Sequence, residues 1–168
     1  MPGPQGTYWG IRNAAVAAAY GEVVSYWWHV ESEMAVLLND LLIGKKTESY
    51  GSDLPSITLF RSIVSQKARI DVMRELLEQS DFDPEQTNIY KSLIDAFNDV
   101  NTERNMLVHA AWFTDIATGK VTIEPQTKKL IRARYSREMS VEALEATSAR
   151  MRELYEAIAL RRMPAIRQ

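Results

Sequence analysis

The sequence predicts a mainly α fold, a four- or five-helix bundle with a small β insertion between the third and last long helices. Long stretches of the chain carry apolar residues at alternating spacings of three and four, which is the period of an amphipathic helix. A shorter stretch near residue 119 alternates around a glycine turn, as in a β-hairpin. With 168 residues and 46% hydrophobic content, the chain can bury a core without disulfides.

The composition excludes several function classes. The chain has no cysteine, which rules out zinc fingers, iron–sulfur clusters and thiol nucleophiles. We find no His-x-x-x-His or Glu-x-x-His pair and no glycine-rich phosphate loop, so we expect no metal and no other cofactor. The longest nearly uncharged stretch, residues 13–20, is too short to span a bilayer. We therefore expect a cytoplasmic protein without a membrane segment.

Residues 1–10 are rich in proline and glycine and have no apolar period, so we predict a flexible tail. A single helical domain is expected over residues 11–168. Its first helix ends near Gly44 and carries an apolar seam of Val23, Trp27, Val30, Met34, Leu37 and Leu41. A second apolar stripe lies beside the seam and consists of Val24, Trp28, Ala35, Leu38 and Leu42. We expect either the bundle itself or a second subunit to cover this stripe.

Two start signals predict the next helices. Asp53 and Pro55 begin a second helix that continues to Ser80, with apolar residues at Ile57, Phe60, Val64, Val72, Met73 and Leu76. Asp83 and Pro84 begin the third helix, because an N-cap acid followed by a first-turn proline satisfies free backbone amides.

Beyond the third helix the period changes to that of strands. Residues 112–116 and 121–124 flank a turn and predict a hairpin, and residues 130–136 alternate as a third extended segment. Ser140 is the expected N-cap of the last helix, which should stop at Pro164.

Arg104 interrupts the apolar seam of the third helix, and a buried guanidinium needs a partner. Either it pairs with an acid such as Glu103 or one on a neighbouring helix, or it faces a cleft that binds phosphate or carboxylate. A continuous helix also aligns Asn98, Asn101, Asn105 and His109 in one polar stripe, which suits a solvated face or a helix that frays. Arg104 and His109 lie about 140° apart on an ideal helix, so they share a face only if the long arginine side chain reaches round or the helix kinks or restarts near Thr102.

Residues 103–109 read Glu-Arg-Asn-Met-Leu-Val-His, and a tryptophan follows three positions later. This string resembles the signature of the HEPN superfamily, in which an arginine and a polar residue precede a histidine by five and four positions. Members are all-α domains, and many are metal-independent ribonucleases in which two such motifs meet across a homodimer. The resemblance implies RNA cleavage by attack of the ribose 2′-hydroxyl on the adjacent phosphate.

On this resemblance, His109 is the expected general acid or base, since histidine exchanges protons near neutral pH. Arg104 is expected to hold the scissile phosphate, and Asn105 to orient the imidazole or a substrate oxygen. The corresponding function is a toxin or defence ribonuclease, with RNA and an antitoxin protein as candidate partners. Because several members are non-catalytic, a helical dimer that binds nucleotides or proteins is the alternative.

A basic segment follows the hairpin and contains no acidic residue, which suits contact with a phosphate backbone. An edge strand protected by charge explains the same pattern. Its cations are Lys128, Lys129, Arg132, Arg134 and Arg137. The other histidine, His29, stands four residues before Glu33, so we expect a surface or interface ion pair rather than a place in the site.

Overall fold

The computed structural model describes residues 6–43, 55–125 and 136–162. These residues form five helices and one four-stranded antiparallel sheet, which confirms the predicted mainly α fold with a small β insertion. In chain order the elements are β1 (Thr7–Trp9), α1 (Ala14–Ile43), α2 (Pro55–Ser62), α3 (Gln66–Glu78), α4 (Pro84–Val108), β2 (Ala110–Asp115), β3 (Val121–Pro125), β4 (Arg137–Glu138) and α5 (Val141–Arg162).

The chain divides into two compact units, each built from two separate segments. The first unit contains the described residues of Met1–Tyr26 and Thr102–Arg150, including the whole sheet. The second contains those of Trp27–Asn101 and Met151–Gln168. The expected single domain over residues 11–168 stays a prediction.

Helix α1 starts nine residues before the predicted seam and ends at Ile43, close to the expected end. The whole predicted seam is buried, from Val23 at 1% exposed to Leu41 at 4%. The neighbouring stripe is only partly covered. Ala35 and Leu38 are buried, whereas the stripe's other three members are exposed: Val24, Trp28 and Leu42.

The predicted second helix is two helices. α2 ends at Ser62, and Ser65 caps α3 by accepting a hydrogen bond from the Ala68 amide at 3.3 Å. The break changes which residues are buried, because α3 starts a new helical register. Val64 is 92% exposed and Val72 is 37% exposed, so these two apolar residues of the predicted second helix lie outside the core. The buried residues of α2 and α3 include Phe60, Ile70, Met73 and Leu77.

The two predicted caps later in the chain are confirmed. The carboxylate of Asp83 accepts a hydrogen bond from the Gln86 amide at 2.8 Å at the start of α4. The hydroxyl of Ser140 accepts one from the Ala143 amide at 3.2 Å at the start of α5. Both side chains satisfy amides that have no partner within the helix. Pro164, the predicted stop of the last helix, lies outside the described residues.

The sheet has the order β1-β2-β3-β4, with every neighbouring pair antiparallel. The predicted hairpin is confirmed as β2 and β3, in which Trp112 pairs with Ile123. Strand β1 corrects the expectation of a flexible tail over residues 1–10, because Thr7–Trp9 pair with β2. The predicted extended segment over residues 130–136 falls almost wholly outside the described ranges, and β4 follows it.

The two faces of the sheet differ in burial, as side chains alternate along each strand. Thr114, Val121 and Ile123 share one face and are at most 3% exposed. The opposite face carries Trp9 and Phe113, whose rings lie 4.8 Å apart and of which Trp9 is 55% exposed. The first face therefore contributes the core of this unit.

Across residues 6–43, 55–125 and 136–162, none of the helices combines the length and the apolar character that a bilayer crossing requires.

Candidate functional site

The three residues of the HEPN-like motif lie where α4 ends and β2 begins. Arg104 and Asn105 are in the last turns of α4, and His109 is the single residue between the helix and the strand. The His109 amide donates to the Asn105 carbonyl at 3.1 Å, which continues the helical hydrogen-bond pattern by one residue. The indole N–H of Trp112 donates to the Leu107 carbonyl at 2.9 Å. These two bonds hold the junction that carries His109.

The side chains of Arg104 and Asn105 contact each other. Nη1 of Arg104 donates to Oδ1 of Asn105 at 3.0 Å, and both residues are half-buried. The amide oxygen of Asn105 therefore orients the guanidinium, whereas the resemblance suggests that Asn105 orients the imidazole or a substrate oxygen. A neutral acceptor thus fixes one side of the guanidinium.

His109 is exposed, and its imidazole makes no hydrogen bond or ion pair with the part of the chain that the structure describes. Both ring nitrogens are thus accessible to a ligand. Helix α4 is continuous from Pro84 to Val108, so no new helix starts at Thr102. An ideal helix places positions 104 and 109 about 140° apart, so helix geometry alone does not bring Arg104 and His109 to one face.

Glu103, the acid named as a possible partner of Arg104, has another partner. Glu103 forms an ion pair with Arg150 on α5, through both carboxylate oxygens at 2.5 Å. Arg150 also lies 3.4 Å from the hydroxyl of Thr147. Arg150 therefore engages both oxygens of the Glu103 carboxylate, and an ion pair between Arg104 and an acid stays a prediction.

The predicted asparagine stripe is not a solvated face. Asn101 is 6% exposed, and Asn98 and Asn105 are half-buried. His109, at the end of the stripe, is the exposed member. A buried asparagine is common only where its amide has hydrogen-bond partners, so the stripe has a structural role along α4.

Tyr20 on α1 belongs to the same neighbourhood and was not singled out by the sequence. Its ring lies 5.0 Å from that of Trp112, with an angle of 57° between the planes. Burial raises the pKa of Tyr20 above its ordinary value of 10.0, and the positive charge of Arg104 partly opposes this shift. Tyr20 stands in an alanine-rich segment, so no local pattern marks it.

We expect the stability of the protein to fall with rising alkalinity in a way that depends on Tyr20. The raised pKa means that the unfolded phenol loses its proton first, so the stability present below pH 10 is lost as the pH rises further. Unfolding by guanidinium chloride, measured between about pH 9 and 11, should show a steeper fall in the free energy of unfolding for the wild type than for Tyr20→Phe. Parallel curves for the two proteins would contradict the assignment.

The basic segment is described only at its end. Lys128, Lys129, Arg132 and Arg134 lie outside the described residues, so their predicted contact with RNA stays a prediction. Arg137 is exposed in β4 and pairs in register with Ile123.

His29 lies outside the motif, as expected. Its ring contacts Trp28 at 5.1 Å and Tyr155 at 5.5 Å, measured between centroids. His29 therefore belongs to an aromatic cluster with Trp28 and Tyr155. The predicted ion pair between His29 and Glu33 stays a prediction.

Within the described ranges, histidine and acidic side chains form no group of three or more that could hold a metal ion.

Comparison with known proteins gives no relative: no protein-family model, curated protein or solved structure matches this chain.

Proposed function

We propose that the protein is a metal-independent endoribonuclease of the HEPN-like type, which cleaves RNA through Arg104, Asn105 and His109. The observation that carries this proposal is the arrangement of the motif at the end of α4. There an accessible imidazole follows, five residues later, a guanidinium that Asn105 holds. A ribonuclease of this kind needs a group that moves a proton and a cation that binds phosphate, and the motif supplies one of each.

In the proposed reaction, the imidazole of His109 takes the proton of a ribose 2′-hydroxyl. The 2′-oxygen then attacks the adjacent phosphorus, and the bond from phosphorus to the 5′-oxygen breaks. The imidazolium of His109 gives that proton to the departing 5′-oxygen, so the products are a 2′,3′-cyclic phosphate and a 5′-hydroxyl, and the neutral imidazole is restored. Arg104 donates hydrogen bonds to the non-bridging phosphate oxygens, whose negative charge grows in the transition state.

The proposed active form is a homodimer. An ideal helix places positions 104 and 109 about 140° apart, and α4 continues to Val108, so helix geometry alone does not direct both groups of one chain at the same phosphate. Two motifs that face each other across a twofold axis bring the guanidinium of one copy towards the imidazole of the other. In this proposal the dimer acts in the cytoplasm as a toxin or defence component, with RNA as substrate and an antitoxin protein as its regulator.

A second candidate is a non-catalytic helical dimer that binds nucleotides or another protein. The bond between Arg104 and Asn105 favours it, because a guanidinium that is already oriented in the free protein also suits a purely structural contact. This alternative makes His109 a dimer contact, so its loss lowers the stability of the dimer.

The two candidates are separated by incubating the protein with structured and unstructured RNA in the presence of EDTA. The wild type should cleave, and Arg104→Ala should lose cleavage by at least about 100-fold, since a transition-state donor in such sites contributes on that order. Arg152→Ala is the matched control, because it removes an exposed arginine from α5 and should leave cleavage unchanged.

Sedimentation velocity on the same proteins gives the second readout. A variant that remains dimeric but does not cut RNA supports catalysis. Equal cleavage by the wild type and Arg104→Ala contradicts the mechanism. No cleavage by the wild type itself, together with dissociation of a His109→Ala variant, supports the non-catalytic dimer.

A further inference from the structure

A cleft of about 290 Å³ lies in the second unit and has walls from α1, α2 and α3. It uses none of the residues assigned to RNA cleavage, so a ligand site there is independent of the proposed nuclease. The cleft has an apolar part and a charged part. Its lining residues are Trp28, Glu31, Ser32, Ala35, Ile57, Phe60, Arg61 and Arg69.

One wall is a fixed ion pair. Arg69 donates to Oε1 of Glu31 at 2.8 Å and to the Ile63 carbonyl at 2.7 Å, and it lies over the ring of Phe60 at 4.5 Å. Its side chain is only 12% exposed. Arg69 is therefore a rigid part of the wall rather than a group free to take a ligand. The second oxygen of Glu31, Oε2, accepts no hydrogen bond from the described residues and remains available to a donor.

A second arginine at the cleft, Arg61, has no charged partner among the described residues. Arg61, in the last turn of α2, is exposed and makes no hydrogen bond or ion pair with residues 6–43, 55–125 or 136–162. Trp28 lines the same cleft and is 59% exposed, although tryptophan normally hides most of its surface. A free guanidinium and an open indole in one cleft are the features that recognise an anion attached to a planar ring.

We propose that this cleft binds a small aromatic carboxylate of one or two rings. The ring packs on the indole of Trp28, the carboxylate accepts hydrogen bonds from Arg61, and a ring N–H donates to Oε2 of Glu31. The size of the cleft sets the class of ligand. Since it lies at the small end of the range of about 300–1,000 Å³ for ligand pockets, a bicyclic acid suits it better than a nucleotide.

Isothermal titration calorimetry with indole-3-acetate, indole and adenosine monophosphate tests the proposal. Indole-3-acetate should bind with a dissociation constant on the order of 1 mM, as expected for a ligand of its size. Indole lacks the carboxylate and should bind about fivefold more weakly, since the contact with Arg61 is exposed to solvent. Adenosine monophosphate should bind more weakly than indole-3-acetate.

The variants Arg61→Gln and Trp28→Ala identify the site. Arg61→Gln should remove the preference for indole-3-acetate over indole, and Trp28→Ala should weaken both compounds. Arg152→Gln is the matched control, because it removes an exposed arginine of the same unit that does not line the cleft. The proposal is overturned if indole-3-acetate shows no binding up to about 5 mM, if Arg61→Gln keeps the preference, or if adenosine monophosphate binds more tightly.

Discussion

We expect His109→Ala to reduce the rate of RNA cleavage by about 10²–10⁴-fold, the usual contribution of a group that transfers a proton in the transition state. The fold should not change. His109 is exposed, and its imidazole contacts no described residue through a hydrogen bond or ion pair, so alanine leaves no buried polar group without a partner. Single-turnover cleavage of one labelled RNA, with thermal unfolding measured on the same samples, gives both quantities.

His29→Ala is the matched control, since the sequence contains two histidines and His29 lies outside the motif. Its contacts with Trp28 and Tyr155 are structural, so the variant can lose stability but should cleave RNA at the wild-type rate when folded. Equal losses of cleavage in the two variants would show that the assay reports folding and not proton transfer.

The second large effect concerns the buried carboxylate of Asp40, and we expect Asp40→Asn to lower the free energy of unfolding by about 3–5 kcal/mol. Asp40 is 0% exposed, and its Oδ2 accepts a hydrogen bond from the hydroxyl of Tyr90 at 3.3 Å. The same oxygen lies 3.9 Å from Nη1 of Arg161, whose guanidinium packs over the Tyr90 ring at 3.3 Å.

The physical reason is the charge that the substitution leaves behind. Burial lowers the pKa of Arg161 to about 10, and Asp40 opposes that shift, so Arg161 stays charged at neutral pH. Without the Asp40 carboxylate, the positive charge of Arg161, whose side chain is only 13% exposed, loses this counterion. Urea unfolding monitored by circular dichroism measures the loss.

Two further variants test this explanation. Asp95→Asn breaks the exposed pair with Arg74 and should cost less than about 1 kcal/mol. The double variant Asp40→Asn with Arg161→Met should recover part of the stability that Asp40→Asn loses, because it removes the unpaired charge as well. A double variant less stable than Asp40→Asn alone would contradict the explanation.

The sequence predicts the fold well where local chemistry determines it. The seam of α1 is buried as its spacing indicates, and Asp83 and Ser140 cap their helices through side-chain bonds within three residues. The errors involve interactions that are distant along the chain. Strand β1 pairs with a strand about a hundred residues later, and three residues carry too little periodicity to show this.

The break between α2 and α3 illustrates the second kind of error. Val64 suits an apolar seam by spacing, yet it is exposed because Ser65 starts a new helix immediately after it. A serine can cap a helix or lie within one, and the local sequence does not choose between these roles.

At the candidate site, the sequence identifies the residues but not their contacts. The motif places Arg104, Asn105 and His109 within six residues, and the structure adds that Asn105 holds the guanidinium. The pairing of Glu103 with Arg150 and the position of Tyr20 beside Arg104 depend on helix packing. No spacing within α4 could have predicted either contact.

The most direct test of the proposed ribonuclease uses one RNA in two forms, unmodified and fully 2′-O-methylated, both in EDTA. If the 2′-hydroxyl is the nucleophile, the protein cuts only the unmodified RNA, and its fragments end in a 2′,3′-cyclic phosphate and begin with a 5′-hydroxyl. Cleavage of the methylated RNA, or no cleavage of either form by the folded dimer, would contradict the mechanism assigned to Arg104 and His109.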